Sequence, residues 1–331
     1  MTSRQSQRLR RTIARYAAEH DRVRAATDGY AALVTRLLDD AGINYLTVTG
    51  RTKSVESFAG KAARRVNGRL VFPDPARDIT DQIGVRVITY VSSDVDAVAR
   101  LLGDQLTVLE DRDMGRETAA QGRFGYSSRH LLVEAGAEDT DEGLEVLAGR
   151  RASVQIRTVL QHAWAEFEHD ARYKGSVPEQ HAPDLDRRFT LAAGLLELAD
   201  EEFSTIRDLL RGEAAEGAET EDADDPRIGG QDLAAFLAGQ FSDAGWSRTD
   251  HYSWASGLLL ELGITSLGEL RAVLRGVDDA QIAERMGYRY PPGAVRRLDD
   301  ALLSVYGERY VALHGNAHRV DLLRARLARL A

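Results

Sequence analysis

The sequence has no cysteine among its 331 residues. This excludes disulfides, thiolate metal sites and cysteine nucleophiles. It also lacks an apolar run long enough to span a bilayer, and its charged N-terminus lacks the apolar core of a secretory signal. We therefore expect a cytoplasmic protein without membrane contact.

Positive charge is also not in excess. The net charge of −9 argues against non-specific binding of nucleic acid over the whole surface, although it leaves room for a local basic cleft. The hydrophobic content of 43% and charged content of 29% are typical of globular proteins. The length predicts two domains.

The composition changes sharply near residue 212. Residues 212–225 contain seven acidic residues and no large apolar one, which predicts a solvated linker over 212–230. Residues 231–331 show the 3.6-residue periodicity of helices throughout. We predict an α+β domain over 1–211 and, after the linker, a helical accessory or partner-binding domain over 231–331.

Short apolar segments alternate with helical patterns in the first of these regions. A helical pattern over residues 4–41 comes first, a loop at 50–54 leads into a helix that extends to residue 66, and a long helix covers about 185–210. The pattern favours α+β class, with a mixed sheet of about five strands flanked by helices. The predicted strands are Leu70–Phe72, Val85–Val91, Leu106–Leu109, Leu131–Val133 and Ala152–Arg157.

The segment GRTKSVESFAGK gathers cations and a hydroxyl around the start of a predicted helix. Arg51, Lys53, Ser57 and Lys61 supply these groups. Several cations near a helix N-terminus suit a polyphosphate. Taken alone, the segment is more typical of an ordinary solvated basic helix face.

The segment DITDQIGVR leads into a predicted buried strand. Asp81, just before the strand, is well placed to hold Mg²⁺ against a phosphate. Gly84 permits close approach of a ligand or a neighbouring backbone, and the Arg86 guanidinium can stack on a base. The alternative is that Asp81 is simply a turn residue.

The segment GRFGYSSRH precedes another strand. Tyr126 can stack on a base, while Ser128 and His130 can contact phosphates. Alternatively, this is a loop whose tyrosine packs in the core. In the later strand, Gln155 and Arg157 alternate with apolar residues, which places them on its polar face.

Taken in order, these segments resemble the RelA/SpoT-like alarmone synthetase family, in the short form without the hydrolase half. The resemblance covers about Ile43–Gly175, and the synthetase domain would be residues 1–211. The matched positions are Arg51, Lys53, Ser57 and Lys61; Asp81, Gly84 and Arg86; Gly125, Tyr126, Ser128 and His130; and Gln155, Arg157, Thr158, Trp164, Glu168, His169, Tyr173 and Lys174.

The resemblance implies a nucleotidyltransferase-like fold and a GTP pyrophosphokinase. Such an enzyme transfers the β,γ-diphosphate of ATP to the 3′-hydroxyl of GDP or GTP, which yields (p)ppGpp and AMP. By matched position, Arg51 and Arg86 would sandwich the adenine and Asp81 would bind Mg²⁺. Lys53, Ser57 and Lys61 would bind the triphosphate of ATP. The acceptor nucleotide would be bound by Tyr126, Ser128, His130, Gln155 and Arg157.

One catalytic position departs from the family pattern. Ser153 stands where the family has a glutamate that completes the metal site and helps to activate the attacking hydroxyl. A serine cannot act as a general base at neutral pH or supply a carboxylate's charge to Mg²⁺. Glu134 and Glu145, in neighbouring segments, are the candidates to supply the missing carboxylate.

Three functions therefore remain open. The chain is an alarmone synthetase, a nucleotide-binding regulator weakened in turnover by Ser153, or a toxin-like relative that uses adenine nucleotides or the tRNA 3′ end as acceptor. A local basic groove of Arg116, Arg123 and Arg129 keeps a tRNA acceptor open. For residues 231–331 the alternatives are a homo-oligomer contact and a protein partner.

Overall fold

The computed structural model describes residues 3–120, 128–136, 145–174, 182–214 and 227–331. The chain divides into two compact units. The first unit comprises Met1–Leu37, Leu46–Val95 and Leu102–Asp200, and the second comprises Leu38–Tyr45, Asp96–Leu101 and Glu201–Ala331.

The elements up to residue 214 alternate between helices and strands. The helices are α1 Ser3–Asp40, α2 Val55–Ala62, α3 Pro75–Asp78, α4 Ser92–Gln105, α5 Met114–Ala120, α6 Val159–Lys174 and α7 Ala182–Ala214, with 3₁₀ turns at Thr80–Gln82 and Glu145–Leu147. The strands are β1 Thr47–Thr52, β2 Arg65–Val66, β3 Arg69–Leu70, β4 Ile83–Thr89, β5 Thr107–Asp113, β6 Arg129–Glu134 and β7 Arg151–Thr158.

Five of the described strands form one mixed sheet in the order β1-β4-β7-β6-β5. Strands β4 and β7 pair in parallel, and the other neighbours pair antiparallel. The predicted α+β class, with a mixed sheet of five strands flanked by helices, is confirmed.

Two details of the predicted strands and helices are wrong. The predicted strand Leu70–Phe72 is not in the sheet, because β3 forms a separate hairpin with β2 around Asn67 and Gly68, which both have positive φ, as a tight hairpin turn requires. The helix expected up to residue 66 accordingly ends at Ala62.

The fifth strand of the sheet is β1, and its second half covers residues that we expected in a loop. Its sequence, TVTGRT, lacks apolar alternation; four of its six residues are exposed and none is buried. It is an edge strand that pairs only with β4. Edge strands of this kind are specified by their partner rather than by their own hydrophobicity.

One face of the sheet is apolar. Along β4 and β7, Val85, Val87, Val154 and Ile156 are all buried, and the period of two in a strand directs them to the same side. Tyr30 of α1 is also buried. Its hydroxyl donates to Arg150 O (2.6 Å), just before β7, and accepts from Ala135 N (3.0 Å), just after β6.

From residue 230 to the end, the described elements are helices, which confirms the predicted all-helical C-terminal region. They are α8 Gly230–Gln240, α9 Thr249–Leu262, α10 Leu267–Leu274, α11 Asp279–Met286, α12 Ala294–Tyr306, α13 Glu308–Val311 and α14 Val320–Leu330. Left-handed glycines 263 and 287 end α9 and α11, and a capping box of Ser266 and Glu269 starts α10, as expected for helix termini. The predicted acidic linker lies outside the described residues over 215–226, and the proposed domain boundaries stay predictions.

The second unit contains a buried ionic network on α12. Asp299 accepts from Arg319 (2.7 Å) and from Arg326 (2.8 Å), and also from the hydroxyl of Tyr310. Asp300, one position along, accepts from Arg296 at 2.8 Å. Each of these charges thus has an opposite charge beside it, which offsets part of the cost of burying ionised groups.

Among the described helices, none combines the length and the apolar character that crossing a bilayer would need.

Candidate functional site

Strand register places the predicted site residues on the polar face of the sheet. Gly84 lies opposite Ser153 in the parallel pair of β4 and β7, and Arg86 lies opposite Gln155. Arg51 on β1 lies opposite Gly84. Directly paired residues share a face, so these side chains all project away from the apolar core.

These residues surround one open hollow, which we call the polar hollow. It has a volume of about 60 Å³ and is lined by Arg51, Lys53, Asp81, Gly84, Val85, Arg86, Ser153 and Gln155. Three predicted ATP-binding cations, the predicted metal ligand and the substituted catalytic position therefore lie around one hollow.

Gly84 lies in the lining of the polar hollow at a position where the neighbouring strand β1 leaves little space for a side chain. A Cβ atom at this position would lie 3.2 Å from the backbone oxygen of Arg51, which is tighter than ordinary van der Waals contact. The glycine thus allows β1 to lie close against β4, between the two arginines.

Asp81 is the electrostatic centre of the polar hollow. Its carboxylate accepts from Lys53 Nζ at 2.8 Å and from Lys61 Nζ at 3.0 Å. Burial raises the pKa of Asp81, but the two ammonium groups outweigh it, and the pKa lies below its ordinary value. Asp81 is therefore ionised at neutral pH, and it partly neutralises the two lysines.

Local hydrogen bonds hold the loop that carries Lys53. Its N–H donates to Gln82 O (3.0 Å), and its carbonyl oxygen accepts from the Tyr16 hydroxyl (2.6 Å) and contacts His20 Nε2 (3.2 Å). Ser54 caps α2, since its hydroxyl accepts from the backbone N–H of Ser57, as N-cap residues do. Ser57 itself is exposed on the first turn of α2, and the same helix presents Lys61 from its last turn.

The donor set fits a magnesium ion only if the substrate supplies much of the coordination. Among the described residues, no group of three or more His, Cys, Asp or Glu side chains could hold a metal, and Asp81 is the single carboxylate that lines the polar hollow. Mg²⁺ is commonly held by one or two carboxylates together with phosphate oxygens and water. Asp81, about one-third exposed, is suited to such a bridging site.

Arg86 has a partner that the sequence did not reveal. Its guanidinium forms an ion pair of 2.9 Å with Glu166 of α6. Glu166 lies on the polar face of that helix, but its spacing from the matched residues gave no signal of contact with Arg86. The pair orients Arg86 beside the polar hollow.

Arg157 lies deeper in the same face. It is buried, and its guanidinium donates to Gln155 Oε1 at 3.2 Å. Burial and then the nearby charge of Arg86 lower the pKa of Arg157 to about 10, so it stays charged at neutral pH. Gln155 and Arg157 thus form a polar pair next to the Arg86 side of the hollow.

The predicted acceptor residues of β6 lie on the same sheet face. His130 is paired with Gln155 across β6 and β7, and its Nε2 lies 2.8 Å from Ser128 Oγ. Burial, and secondly the charge of Arg112, lower the pKa of His130, which keeps the ring neutral at pH 7. Tyr126 falls outside the described residues.

Neither proposed replacement for the missing carboxylate lines the polar hollow. Glu134 shares the polar face with Ser153, but it is paired with Arg151 across the strands, and their side chains form a 3.7 Å ion pair. Glu145 is exposed in its 3₁₀ turn. Ser153 therefore faces a hollow whose one carboxylate is Asp81.

Two of the three arginines of the expected basic groove are paired with aspartates. Arg129 donates two hydrogen bonds to Asp111 (2.9 and 2.8 Å), and Arg116 pairs with Asp113 at 3.2 Å. Arg123 lies outside the described residues.

Cations gathered around one carboxylate, on the polar face of a mixed sheet, are an arrangement suited to phosphate-rich ligands. The family model described as "Region found in RelA / SpoT proteins" matches residues 50–177. GTP pyrophosphokinase YjbM of Bacillus subtilis (strain 168) is 34% identical over 164 residues, which are 48% of this chain and 71% of that protein. GTP pyrophosphokinase YwaC of the same organism is 29% identical over 161 residues, 47% of this chain and 71% of that protein.

The chain therefore belongs to the RelA/SpoT alarmone synthetase family, which confirms the resemblance found in its motifs. Among solved structures, small alarmone synthetase 1 from Bacillus subtilis is 25% identical, with a TM-score of 0.47, and the match covers 60% of this chain and 98% of that one.

Proposed function

We propose that this protein is a pyrophosphokinase that transfers the β,γ-diphosphate of ATP to the 3′-hydroxyl of GDP or GTP. The 3′-oxygen would attack the β-phosphorus, the bond from that phosphorus to the α,β-bridging oxygen would break, and AMP would leave. The observation that supports this most is the polar hollow, where Arg51, Lys53 and Arg86 surround Asp81. The relatives named GTP pyrophosphokinase support the same reaction.

In this proposal, phosphate charge replaces Asp81 as the partner of the lysines. Lys53 and Lys61 would move from the carboxylate to the triphosphate, with Ser57 as a further donor at the start of α2. Asp81 would then hold Mg²⁺ together with phosphate oxygens. When bound, Mg²⁺ supplies neutralisation of phosphate charge.

Arg51 and Arg86 would hold the adenine, because they project from neighbouring strands on one face with Gly84 between them. A guanidinium on each side of a base is a favourable cation–π arrangement. Glu166, ion-paired with Arg86 at 2.9 Å, would keep that guanidinium in position.

The acceptor nucleotide would lie along β6 and β7. Neutral His130, hydrogen-bonded with Ser128, together with Gln155 and Arg157 would contact its polar groups. Tyr126 would stack on the guanine. Arg157, charged and buried, would supply the strongest of these contacts, because hydrogen bonds from charged groups are roughly twice as strong as neutral ones.

The second candidate function is a nucleotide-binding regulator with weak turnover. It is favoured by one observation, that Ser153 faces the polar hollow while Asp81 is the only carboxylate among the described lining residues. Without a positioned base, the 3′-hydroxyl proton would leave slowly. General-base catalysis contributes about a hundredfold to ten-thousandfold in rate. A tRNA acceptor has less support, since Arg116 and Arg129 are paired with aspartates.

The test is incubation of the full chain with labelled ATP, Mg²⁺ and one acceptor at a time: GDP, GTP, an adenine nucleotide or tRNA. AMP release that requires a guanine nucleotide is the expected result, and it should be absent in Asp81→Ala but kept in Asp28→Ala, an exposed carboxylate on α1. ATP binding without AMP release would favour the regulator. Label on tRNA or on an adenine nucleotide would overturn the guanine acceptor.

We also place the reaction in the cytoplasm, where both nucleotides are available. A homo-oligomer or a protein partner bound through residues 231–331 stays a prediction.

A further inference from the structure

The first unit contains a second cavity, of about 380 Å³. Thr80 and Gln82 line it, whereas Asp81, between them, lines the polar hollow. The two spaces are therefore separated by the 3₁₀ turn before β4. The cavity is lined by Thr12, Arg15, Tyr16, Glu19, Val23, Phe58, Ala76, Arg77, Ile79, Thr80, Gln82, Ile83, Gly149, Arg150 and Arg151, and we call it the arginine cavity.

Its lining has a strong excess of positive charge. Four arginines, from α1, α3 and the start of β7, face a single acidic residue, Glu19. Arg151 forms an ion pair with Glu134 at 3.7 Å. Arg15, Arg77 and Arg150 have no carboxylate partner within the part of the chain that the structure describes, so their charges are available to an anion.

The remaining lining indicates what kind of anion would fit. Arginine binds phosphate through paired N–H donors in a planar fork, and the hydroxyl of Thr80 adds a further donor. The floor is apolar: Tyr16, Val23 and Phe58 are among its buried residues. A volume of this order is typical of pockets for small molecules rather than for single ions.

We propose that the arginine cavity is a second ligand site, which binds a small phosphorylated molecule. Its phosphate would lie between Arg15, Arg77 and Arg150, and its apolar part would lie against Tyr16 and Phe58. The site is separate from the ATP and acceptor positions, and its existence does not depend on the proposed reaction.

The arginine cavity contacts the polar hollow through two residues. The Tyr16 ring stacks on Phe58 with centroids 4.1 Å apart, while its hydroxyl donates to the carbonyl oxygen of Lys53. The second residue is Gln82, whose backbone carbonyl oxygen accepts a hydrogen bond from the N–H of Lys53. A ligand that moves either group shifts the Lys53–Asp81 pair. We therefore expect binding in the cavity to change affinity in the hollow, and the reverse by the same factor.

The test is calorimetric titration of the full chain, without Mg²⁺, with phenyl phosphate and with inorganic phosphate as probes. We expect two binding events for phenyl phosphate, one at each site. One should weaken at least tenfold in Arg15→Glu/Arg77→Glu but remain in Lys61→Glu/Arg86→Glu, while the other should show the opposite pattern.

Two controls make the result specific. Arg10→Glu carries a charge reversal on the same helix, about 140° around the axis from Arg15, and should leave both events unchanged. Arg15→Gln/Arg77→Gln, a milder pair, guards against misfolding of the reversed variant and should also weaken the cavity event.

A single event that Lys61→Glu/Arg86→Glu removes would overturn the site, as would equal losses in Arg10→Glu and Arg15→Glu/Arg77→Glu. At the cavity, phenyl phosphate should bind more tightly than inorganic phosphate. Equal affinities would overturn the role of the apolar floor. None of these outcomes depends on whether the chain makes AMP, so failure here and failure of the proposed reaction are distinguishable.

Discussion

Lys61 and Asp81 form an ion pair of 3.0 Å that joins the last turn of α2 to the 3₁₀ turn before β4. Lys53 binds the other carboxylate oxygen at 2.8 Å. The cations expected to hold a triphosphate are thus kept in place by the carboxylate expected to hold its metal. A triphosphate at this site would have to compete with Asp81 for both lysines.

Asp81→Asn should therefore separate binding from catalysis. Without Mg²⁺, inorganic triphosphate should bind more tightly by up to about fivefold, because a partly exposed ion pair of roughly 0.2–1 kcal/mol no longer has to be broken. With Mg²⁺, AMP formation should fall about a hundredfold or more. Calorimetry and an AMP assay measure the two effects. Asp78→Asn, on the neighbouring α3, should change neither, and weaker triphosphate binding in Asp81→Asn would contradict this account.

Ser153→Glu should raise turnover. The new carboxylate would face the polar hollow across from Gly84, among the cations of Arg51 and Arg86, which favour its ionised form. A positioned base is commonly worth about a hundredfold or more, so the rate of AMP release with GDP should rise by that order. Ser153→Gln matches the size without the charge and should not raise the rate. Equal rates in both variants and in wild type would show that the proton leaves by another route.

The stability of the fold should depend on pH through His130. Its folded-state pKa lies below the ordinary value of 6.5 because of burial and the charge of Arg112. The unfolded chain therefore binds the proton more readily, and the free energy of unfolding should fall as the pH drops below about 6.5. Denaturant titrations from pH 7.5 to 5 measure this.

In His130→Gln the loss over that pH range should be smaller than in wild type. A slope unchanged by His130→Gln would mean that another group titrates there.

Asp299→Asn should destabilise the second unit severely. The substitution leaves Arg319 and Arg326 without the buried carboxylate to which both donate. Breaking a buried ion pair from one side commonly costs about 3–5 kcal/mol, and the free energy of unfolding from chemical denaturation should fall by that order. Asp321→Asn, at an exposed position on α14, should leave it unchanged. A small loss in Asp299→Asn would show that water replaces the carboxylate.

Periodicity in the sequence was sufficient to predict which residues share a face. Alternation in 152–157 placed Gln155 and Arg157 opposite buried Val154 and Ile156, as the structure has them. Helical periodicity likewise predicted the C-terminal helices. These inferences succeed because side-chain direction follows from local backbone geometry, with a period of two in a strand and 3.6 in a helix.

The sequence was insufficient wherever a partner distant in the chain decides the structure. Strand β1 is polar on both sides, and only pairing with β4 makes it a strand. The Arg86–Glu166 pair and the arginine cavity each join residues far apart in the chain, and no local pattern reports such distances.

The sequence by itself thus determined the residue types of the polar face, their order and the family they indicate. Only the tertiary structure decided that β4 lies next to β7, which brings Asp81, Arg86 and Ser153 around one hollow and leaves Lys53 and Lys61 bound to Asp81. The physical reason is that which strands are neighbours depends on burying apolar side chains that are far apart in the chain. The direction in which each side chain points depends only on the backbone of its own segment.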